Sequence, residues 1–337
     1  MRRRCAFFAG GATALLAGVA LLSFTRLTDP DLGSRPRPLG TFDEAERRIR
    51  TILRAEARQD LIPEGRSIAL LTDARTETAV VIFHGYTSVP KQFQLIAEAY
   101  RAHGFNVWVP RLPRHGQTNR MTNGFSKLTG RELRRFADES IDIAAGLGRR
   151  VIVVGFSGGG TLAAWSGAER VEVSQTVLIS PLLHPLGYPE WAIRPLVRAL
   201  RFLPFDVYRW WEPAEKDSHV SGYNYPRFSY KGIAALLSLA HWTEDRAALG
   251  SYPAQASVVL VRNDGDQRLD SAYNERFVRR VAAPENVRVV RIPASAGLRH
   301  NLVSPEPGSE IYAHITEAYA YLADALSIAL PSPQGAE

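Results

Sequence analysis

Ser157 lies in the sequence Gly155-Phe156-Ser157-Gly158-Gly159, which follows an apolar run at 151–154 and precedes a helical pattern. The G-x-S-x-G spacing is typical of a sharp turn from strand to helix that raises a serine hydroxyl above the end of a parallel sheet. Glycine suits the flanking positions because it tolerates unusual backbone angles and because a side chain there would collide with the neighbouring backbone. The sequence therefore predicts a nucleophilic serine and hydrolytic chemistry.

His300 is the candidate general base. A serine hydroxyl is a poor nucleophile at neutral pH, so it needs a base that takes its proton and an acid that orients the base. In proteins with this turn, the serine is followed along the chain by the acid and then by the histidine. His300 lies after a predicted strand at 287–292 and before a predicted terminal helix at 307–326, in the loop where that base is expected.

Three aspartates follow the predicted strand at 258–261 and are candidates for the acid. We favour Asp266, because it lies one turn beyond the strand and because the apolar Leu269 can anchor its loop. Asp264 is the alternative, whereas Asp270 is better placed to cap a helix that begins near residue 271. The acid would hold the imidazole in one tautomer and would itself stay ionised.

Two backbone N–H groups are candidates for stabilising a developing oxyanion. The first is that of Gly158, because it directly follows the serine. The second is expected from the loop after the strand that ends at His84-Gly85-Tyr86, and we predict Tyr86 for it. His84 itself is interpreted as a scaffold residue.

Short apolar runs alternate with longer helical patterns from residue 66 onward. Strands are predicted at 67–71, 78–83, 105–110, 151–154, 177–180, 256–261 and 287–292, and helices at 91–103, 128–147, 162–170 and 307–326. This alternation predicts an α/β fold with a mostly parallel sheet covered by helices on both faces. His84, Ser157 and Asp266 all fall at carboxyl ends of predicted strands, where such sheets bind ligands.

The alternation is interrupted at 182–256, which divides the predicted core into 64–181 and 257–331. A crossover between parallel strands needs only about a dozen residues, so most of this stretch is expected to be an inserted cap. The stretch is rich in aromatic residues. We expect most of them to fill the core of the cap and two or three to face a substrate cleft.

The N-terminal residues 1–26 read as a membrane anchor or a signal segment. Arg2, Arg3 and Arg4 precede an apolar stretch of about 20 residues, which is long enough to span a bilayer with its arginines on the cytoplasmic side. We favour an anchor that holds the remaining chain outside the cytoplasmic membrane, in the cell envelope. Secretion after cleavage of a signal is the alternative.

Residues 27–63 are interpreted as a linker followed by a short helix. The Pro- and Gly-containing stretch at 28–40 predicts an extended tether that provides reach. Thr41 is a candidate helix N-cap, and apolar residues at helical spacing after it predict a short helix docked on the domain. A helix lying on the membrane surface is the alternative, because the segment is rich in arginine.

Composition excludes several classes of protein. Of 337 residues, 45% are hydrophobic and 22% are charged, which is ordinary for a globular protein. The formal net charge of +7 includes the three N-terminal arginines, and the other arginines are scattered among acids, so no nucleic-acid partner is expected. The only cysteine is Cys5, which excludes an intramolecular disulfide and a cysteine-based metal cluster. We expect no metal ion and no organic cofactor.

These motifs together resemble the α/β-hydrolase superfamily. The resemblance rests on His84-Gly85-Tyr86-Thr87, on the loop 111–116, on the glycine-flanked Ser157, on Asp266 and on His300. Within the superfamily, the chain is most similar to bacterial carboxylesterases and monoacylglycerol lipases and to the domain named for serine aminopeptidases. The resemblance spans roughly residues 65–330.

The resemblance implies an eight-stranded, mostly parallel sheet with a helical cap after the sixth strand. It also implies Ser157, Asp266 and His300 as a catalytic triad, with the Tyr86 and Gly158 amides as oxyanion donors. Many relatives carry methionine at the position of Gly158 and glycine at that of Arg114. These two differences affect the expected substrate and leave the triad intact.

The expected function is hydrolysis of a small carboxylic ester, with an apolar acyl group, through an acyl-enzyme on Ser157. One alternative is cleavage of an amide at a peptide N-terminus, for which Glu212, Glu215 or Glu244 of the cap would have to hold the substrate ammonium. Another is a noncatalytic envelope protein that uses the same fold for binding.

Overall fold

The computed structural model describes residues 32–211, 224–250, 256–304, 306 and 311–331 of the chain. Its strands are β1 (Ile68–Leu70), β2 (Thr76–Phe83), β3 (Asn106–Val109), β4 (Gly148–Phe156), β5 (Val173–Ile179), β6 (Tyr208–Trp210), β7 (Arg227–Ser229), β8 (Ser257–Asn263) and β9 (Val287–Ile292). Its helices are α1 (Phe42–Glu56), α2 (Gln94–Ala102), α3 (Gly130–Leu147), α4 (Gly158–Glu169), α5 (Glu190–Phe202), α6 (Tyr230–Ala248), α7 (Ser271–Val281) and α8 (Ile315–Leu326). Each predicted strand and helix listed above overlaps one of these elements.

Seven of the strands form one sheet in the order β1-β3-β2-β4-β5-β8-β9. All neighbouring strands are parallel except β1 and β3, which are antiparallel. The predicted α/β architecture is therefore confirmed. The implied count of eight strands differs from the seven in the described residues, where β1 forms the edge of the sheet.

Alternating side chains of the buried strand β2 face two separate hydrophobic layers. Ala79, Val81 and Phe83 pack into a layer with α1, α3, α4, α6 and α7. Val80 and Ile82 pack into the opposite layer with α2 and α8. Because successive residues of a strand point to opposite faces, the sheet is covered by helices on both sides, as the sequence predicted.

The cap elements lie between β5 and β8. After Ile179 the chain leaves the sheet and forms α5, the antiparallel hairpin β6–β7 and α6 before it returns at Ser257. Because β5 is the fifth strand of this sheet along the chain, the insertion follows the fifth strand and not the sixth.

The N-terminal segment 32–40 is docked on the domain. The Trp165 indole donates to the Leu32 carbonyl at 2.9 Å, and the Leu39 N–H donates to the Asp142 carbonyl at 2.9 Å. The Ser34 N–H donates to a carboxylate of α4 at 2.9 Å, and Leu32 is buried. The prediction of an extended tether providing reach is therefore wrong for residues 32–40, because backbone hydrogen bonds hold them against the helices.

The predicted short helix is α1, and it packs against α3. Thr41 caps it, because its side chain accepts from the Glu44 N–H while the Glu44 carboxylate accepts from the Thr41 N–H. Ala45 and Ile49 are buried in the main hydrophobic layer. The domain therefore covers the apolar face of α1, as predicted for a docked helix.

Within the part of the chain that the structure describes, no helix has the length and the apolar content needed to cross a membrane. The predicted anchor or signal segment at 1–26 lies outside the described residues.

Candidate active site

Ser157 occupies the turn between β4 and α4 with backbone angles φ 51° and ψ −116°. This left-handed conformation is costly for a residue with a side chain, so the surrounding structure must hold it. An ideal Cβ on Gly155 would lie 2.2 Å from the Gly159 carbonyl oxygen, and one on Gly159 would lie 2.0 Å from the Phe83 carbonyl oxygen. Only glycine fits at these two positions, which explains the spacing of the motif.

His300 connects Ser157 with Asp266. Its Nε2 lies 3.0 Å from the Ser157 Oγ, and its Nδ1 lies 2.7 Å from the Asp266 Oδ2. The Phe156 ring lies 5.0 Å from the imidazole, centre to centre, and limits its movement. The structure thus brings together three side chains that are more than 30 residues apart along the chain.

The Asp266 carboxylate is held in its ionised form. Burial by itself would raise the pKa of Asp266, but the His300 imidazole and the backbone N–H groups of Arg268 and Leu269 outweigh it and lower the pKa below its ordinary value. Those two N–H groups donate to Oδ1 at 2.8 and 3.1 Å, which leaves Oδ2 for His300.

The positions of the protons follow from this arrangement. An ionised carboxylate can only accept, so the His300 Nδ1 carries the proton that is donated to Asp266. The Nε2 lone pair then faces the Ser157 hydroxyl, which donates to it. His300 is therefore oriented to remove the serine proton.

The other two candidate aspartates have different partners. Asp264 forms ion pairs with Arg262, at 2.7 Å, and with Arg291. Asp270 caps α7 by accepting from the Tyr273 N–H at 2.8 Å. In this structure neither carboxylate contacts the imidazole, so Asp266 is the aspartate that the geometry pairs with His300.

The Tyr86 N–H is uncommitted beside the serine. The Gly85 N–H donates to the Gln92 side chain at 3.0 Å, and the Thr87 N–H donates to the His115 Nε2 at 3.2 Å. The Tyr86 N–H between them has no partner among the described residues. It is available to an incoming oxygen atom.

Gly158 supplies a second free N–H at the start of α4, where no intrahelical acceptor exists. An ideal Cβ on Gly158 would lie 3.1 Å from the Tyr86 nitrogen, so the two amides are close neighbours. The same Cβ would lie 2.8 Å from the Tyr86 Cβ and 3.0 Å from the Leu236 side chain of α6. The space beside Gly158 is therefore filled by these residues, and a larger side chain at this position would displace Tyr86 and Leu236.

His84 and His115 support the loop that carries Tyr86. The His84 Nε2 accepts from the Leu112 N–H at 3.0 Å, and the His115 Nδ1 lies 2.9 Å from the Pro113 carbonyl oxygen. Burial lowers the pKa of His115 to about 4 and that of His84 well below its ordinary value, with His115 adding to the effect on His84. Both rings are neutral acceptors that fix backbone N–H groups.

Cap residues hold the same loop from the other side. Thr87 has a left-handed φ of 66°, its hydroxyl accepts from the Trp211 indole at 2.8 Å, and its carbonyl accepts from the Tyr225 N–H at 2.7 Å. The Arg268 guanidinium lies 4.5 Å from the centre of the Trp211 ring. Sequence reasoning missed these contacts, and the aromatic content of the cap was the only signal for them.

A cavity of about 350 Å³ opens at Ser157 and His300, and we call it the serine cavity. Its walls are mainly apolar side chains of the cap, including Ile193, Val197, Leu200, Phe228, Ile233 and Leu237. Arg209, Arg268 and Arg299 also line it, and no acidic side chain does so among the described residues.

More cap aromatics reach the serine cavity than the sequence suggested. Instead of two or three, five aromatic residues in the described part of the insertion line it: Tyr188, Trp210, Trp211, Phe228 and Tyr230. Of the three candidate glutamates, Glu244 pairs with Arg194 at 2.7 Å and does not line the cavity. Glu212 and Glu215 lie outside the described residues.

Solved structures with a similar fold include three lipolytic enzymes. One of two metagenome-derived lipolytic enzymes, LipS and LipT, aligns at 17% identity over 79% of this chain and 99% of that chain, with a TM-score of 0.56. The monoglyceride lipase of Saccharomyces cerevisiae aligns at 14% identity over 77% and 91%, with a TM-score of 0.53. The monoacylglycerol lipase of Paleococcus ferrophilus aligns at 16% identity over 76% and 98%, with a TM-score of 0.51. At such identities the likeness shows a shared fold.

No curated protein matches the sequence. The family model described as the alpha/beta hydrolase family matches residues 80–312, which is more than half of the chain and includes Ser157, Asp266 and His300. The chain belongs to the alpha/beta hydrolase family.

Proposed function

We propose that this protein is a serine hydrolase that cleaves carboxylic esters through an acyl-enzyme on Ser157. The observation that carries the proposal is the continuous chain of hydrogen bonds from the Ser157 Oγ through His300 to Asp266, at 3.0 and 2.7 Å. The two uncommitted amides beside the serine complete a site for a tetrahedral intermediate.

The reaction follows from the positions of the atoms. The Ser157 Oγ attacks the ester carbonyl carbon while its proton moves to the His300 Nε2, and the carbonyl oxygen becomes an oxyanion between the Tyr86 and Gly158 amides. The intermediate collapses, the bond to the alcohol oxygen breaks, and Nε2 returns the proton to the departing alcohol. Water then repeats the sequence on the acyl-enzyme and releases the acid.

The serine cavity favours an apolar acyl group. Its volume of about 350 Å³ lies at the lower end of the range of about 300–1,000 Å³ that is common for ligand pockets. Its walls are largely aliphatic and aromatic, so burial of an acyl chain there would stabilise the bound ester. The monoacylglycerol lipases among the structural relatives agree with this class of substrate.

Ester cleavage is favoured over cleavage at a peptide N-terminus. An aminopeptidase must hold a substrate ammonium, whereas the charged side chains that line the described part of the cavity are Arg209, Arg268 and Arg299. Glu244, one of the candidate acids, is engaged by Arg194. A substrate ammonium would therefore meet positive charge near the serine.

The test is Ser157→Ala, assayed with short p-nitrophenyl acyl esters. We expect turnover to fall about 10⁶-fold, because triad members act as a unit. The matched control is Ser174→Ala, since Ser174 lies at the opposite end of β5 and donates only to a backbone carbonyl. A fluorophosphonate probe should label the wild type and the control but not Ser157→Ala.

Two outcomes would contradict the proposal. Failure of the folded wild type to react with the probe would indicate the noncatalytic binding protein. Faster turnover of amino-acid p-nitroanilides than of acyl esters would indicate the aminopeptidase.

A further inference from the structure

The Tyr86 side chain reaches from its loop into the cap, where its hydroxyl meets the start of α6. The hydroxyl donates to the Ser229 carbonyl at 3.2 Å and accepts from the Ser229 N–H at 3.3 Å. Tyr86 is 7% exposed, and Ser229 is fully buried. Burial raises the pKa of the Tyr86 hydroxyl far above its ordinary value, so the hydroxyl stays protonated and able to donate. The cap backbone thus holds the far end of a side chain whose own N–H lies beside Ser157.

Gly232, in the first turn of α6, leaves the space that this contact needs. An ideal Cβ on Gly232 would lie 2.0 Å from the Tyr86 hydroxyl oxygen and 2.7 Å from the ring carbon that carries it. Glycine is unfavourable inside a helix, and Gly232 has no left-handed φ that would require it. Room for the Tyr86 hydroxyl is therefore the structural reason for glycine at this position.

The first turn of α6 is itself fixed by hydrogen bonds. The Ser229 hydroxyl caps the helix by accepting from the Gly232 N–H at 3.0 Å, and it donates to the Asp206 carboxylate. The same carboxylate accepts from the Lys231 N–H at 3.2 Å. The Tyr86 hydroxyl is therefore bound to a fixed point of the cap.

Aromatic neighbours hold the Tyr86 ring between its two ends. The ring lies 5.3 Å from the Phe125 ring and 5.7 Å from the His115 ring, centre to centre, and both contacts are edge to face. A tyrosine side chain occupies only a few staggered rotamers about its first torsion. With the ring packed and the hydroxyl bound, the backbone of Tyr86 is restrained as well.

From these contacts we propose that the Tyr86 hydroxyl, held by the start of α6, positions the Tyr86 N–H for the oxyanion. The amides on either side are positioned by their own acceptors, the Gln92 side chain and the His115 imidazole. An oxyanion donor cannot be held in that way, because such a bond would occupy its proton. The side chain of the same residue supplies the restraint instead, so the cap contributes to the oxyanion site. This inference rests on the proposed ester hydrolysis.

The test is Tyr86→Phe, assayed with p-nitrophenyl acetate and p-nitrophenyl hexanoate. The variant keeps the backbone N–H and the ring and removes only the hydroxyl. Loss of a whole oxyanion donor costs about 10²–10³ in kcat, so we expect a displaced donor to cost about tenfold or more, with KM nearly unchanged. The two esters should lose equally because both form the oxyanion, whereas a loosened wall of the serine cavity would affect the hexanoate more.

An inhibitor pair separates positioning of the donor from general loosening of the site. An alkyl trifluoromethyl ketone adds to a catalytic serine and forms an oxyanion, whereas the methyl ketone with the same chain binds largely without addition. Tyr86→Phe should weaken inhibition by the first compound by about the same factor as kcat and leave inhibition by the second near the wild-type value.

Tyr100→Phe is the control, because Tyr100 is also buried and its hydroxyl donates to a backbone carbonyl, that of Leu326, at 3.3 Å. It lies in the hydrophobic layer on the other face of the sheet. Thermal unfolding should show a similar loss of stability in both tyrosine variants, but kcat and both inhibition constants should change only in Tyr86→Phe. Gly232→Ala, which drives a methyl group against the Tyr86 hydroxyl, should reproduce the loss of kcat. If Gly232→Ala does not fold, Tyr86→Phe still decides.

The inference is overturned if Tyr86→Phe keeps the wild-type kcat, if its loss appears only in KM, or if Tyr100→Phe loses kcat equally. In each of these cases, ester turnover by the wild type and its labelling by a fluorophosphonate leave the proposed function standing. A folded wild type without turnover and without labelling overturns the proposed function, and this inference with it.

Discussion

The serine cavity shares the helix α6 as a wall with a second cavity of about 740 Å³. We call it the cationic cavity, because the side chains that line it include Arg35, Arg131, Arg134, Arg135, Arg201 and Lys231. The linings of the two cavities differ in chemistry. Ile233, Ala234 and Leu237 line the serine cavity. Lys231, Ala235 and Ser238 line the cationic cavity. Because residues three and four apart share a face of a helix, these two sets occupy different faces of α6. One helix therefore separates the apolar serine cavity from a cavity with a cationic lining.

The two cavities also differ in how their polar groups are positioned. In the serine cavity the reactive side chains lie beyond the ends of strands and fix one another: two backbone N–H groups hold Asp266, which in turn holds His300. In the cationic cavity most charged groups are long side chains at the rim, and only Arg134 is buried. Catalysis needs fixed geometry, so substitutions at the serine cavity should affect ester turnover far more than substitutions at the cationic cavity.

The largest effect on ester turnover at the serine cavity is expected from Asp266→Asn. An asparagine can donate to Nδ1 and so favour the wrong tautomer of His300, which should lower kcat for acyl esters about 10⁴-fold. Steady-state ester kinetics measure this effect.

The control for that substitution is Asp264→Asn. This aspartate pairs with Arg262 and Arg291 and does not contact His300, so kcat should remain near the wild-type value. If Asp264→Asn were the more damaging of the two, the assignment of the acid to Asp266 would be wrong.

Local sequence signals predicted the residues of the serine cavity better than its walls. The glycine spacing around Ser157 follows from backbone collisions within one turn, and the loop position of Asp266 follows from the end of β8. His300 follows from the order of the elements along the chain. These features depend on neighbours close in sequence or on a recurrent topology, which is why a single sequence carries them.

Contacts between distant segments could not be predicted in this way. Trp211 and Tyr225 reach Thr87 across more than 120 residues, and nothing in the composition of the cap specifies that pairing. The docking of residues 32–40 depends largely on hydrogen bonds between their backbone groups and side chains of α3 and α4, which leave no periodic pattern in residues 32–40. The cationic cavity likewise depends on how four separate segments pack, so its charges appeared scattered in the sequence.

The stability of the fold should respond to acid, because burial lowers the pKa of three histidines, His84, His115 and His241. His84 and His115 have pKa values lowered by burial, that of His115 to about 4, whereas an unfolded chain binds these protons near pH 6.5. Between about pH 6.5 and 4 the unfolded chain thus binds more protons than the folded chain. The contribution of these histidines to stability is therefore fully present above this window and is lost as the pH falls through it. Within this window, each histidine should lower the free energy of unfolding by about 1.4 kcal/mol for every pH unit of acidification.

Urea unfolding at intervals between pH 7 and 5 measures that slope. His115→Gln should reduce it by the contribution of one histidine, whatever the substitution does to stability at pH 7. Equal slopes for the wild type and the variant would show that His115 does not carry the acid sensitivity.

The smallest effect on ester turnover at the serine cavity is expected from Ile233→Ala on α6. Three carbon atoms are lost from the wall of the serine cavity, and contacts of this size contribute about tenfold to kcat/KM for a well-fitting chain. The loss should appear with esters of longer acyl chains, which reach this wall, and not with acetate esters. The control is Lys231→Gln, two residues away on the face of α6 that lines the cationic cavity, which should leave kcat/KM for both kinds of ester near the wild-type value. Equal loss with acetate and longer acyl esters would indicate that Ile233 supports the cap as a whole, and the division of α6 into two functional faces would then fail.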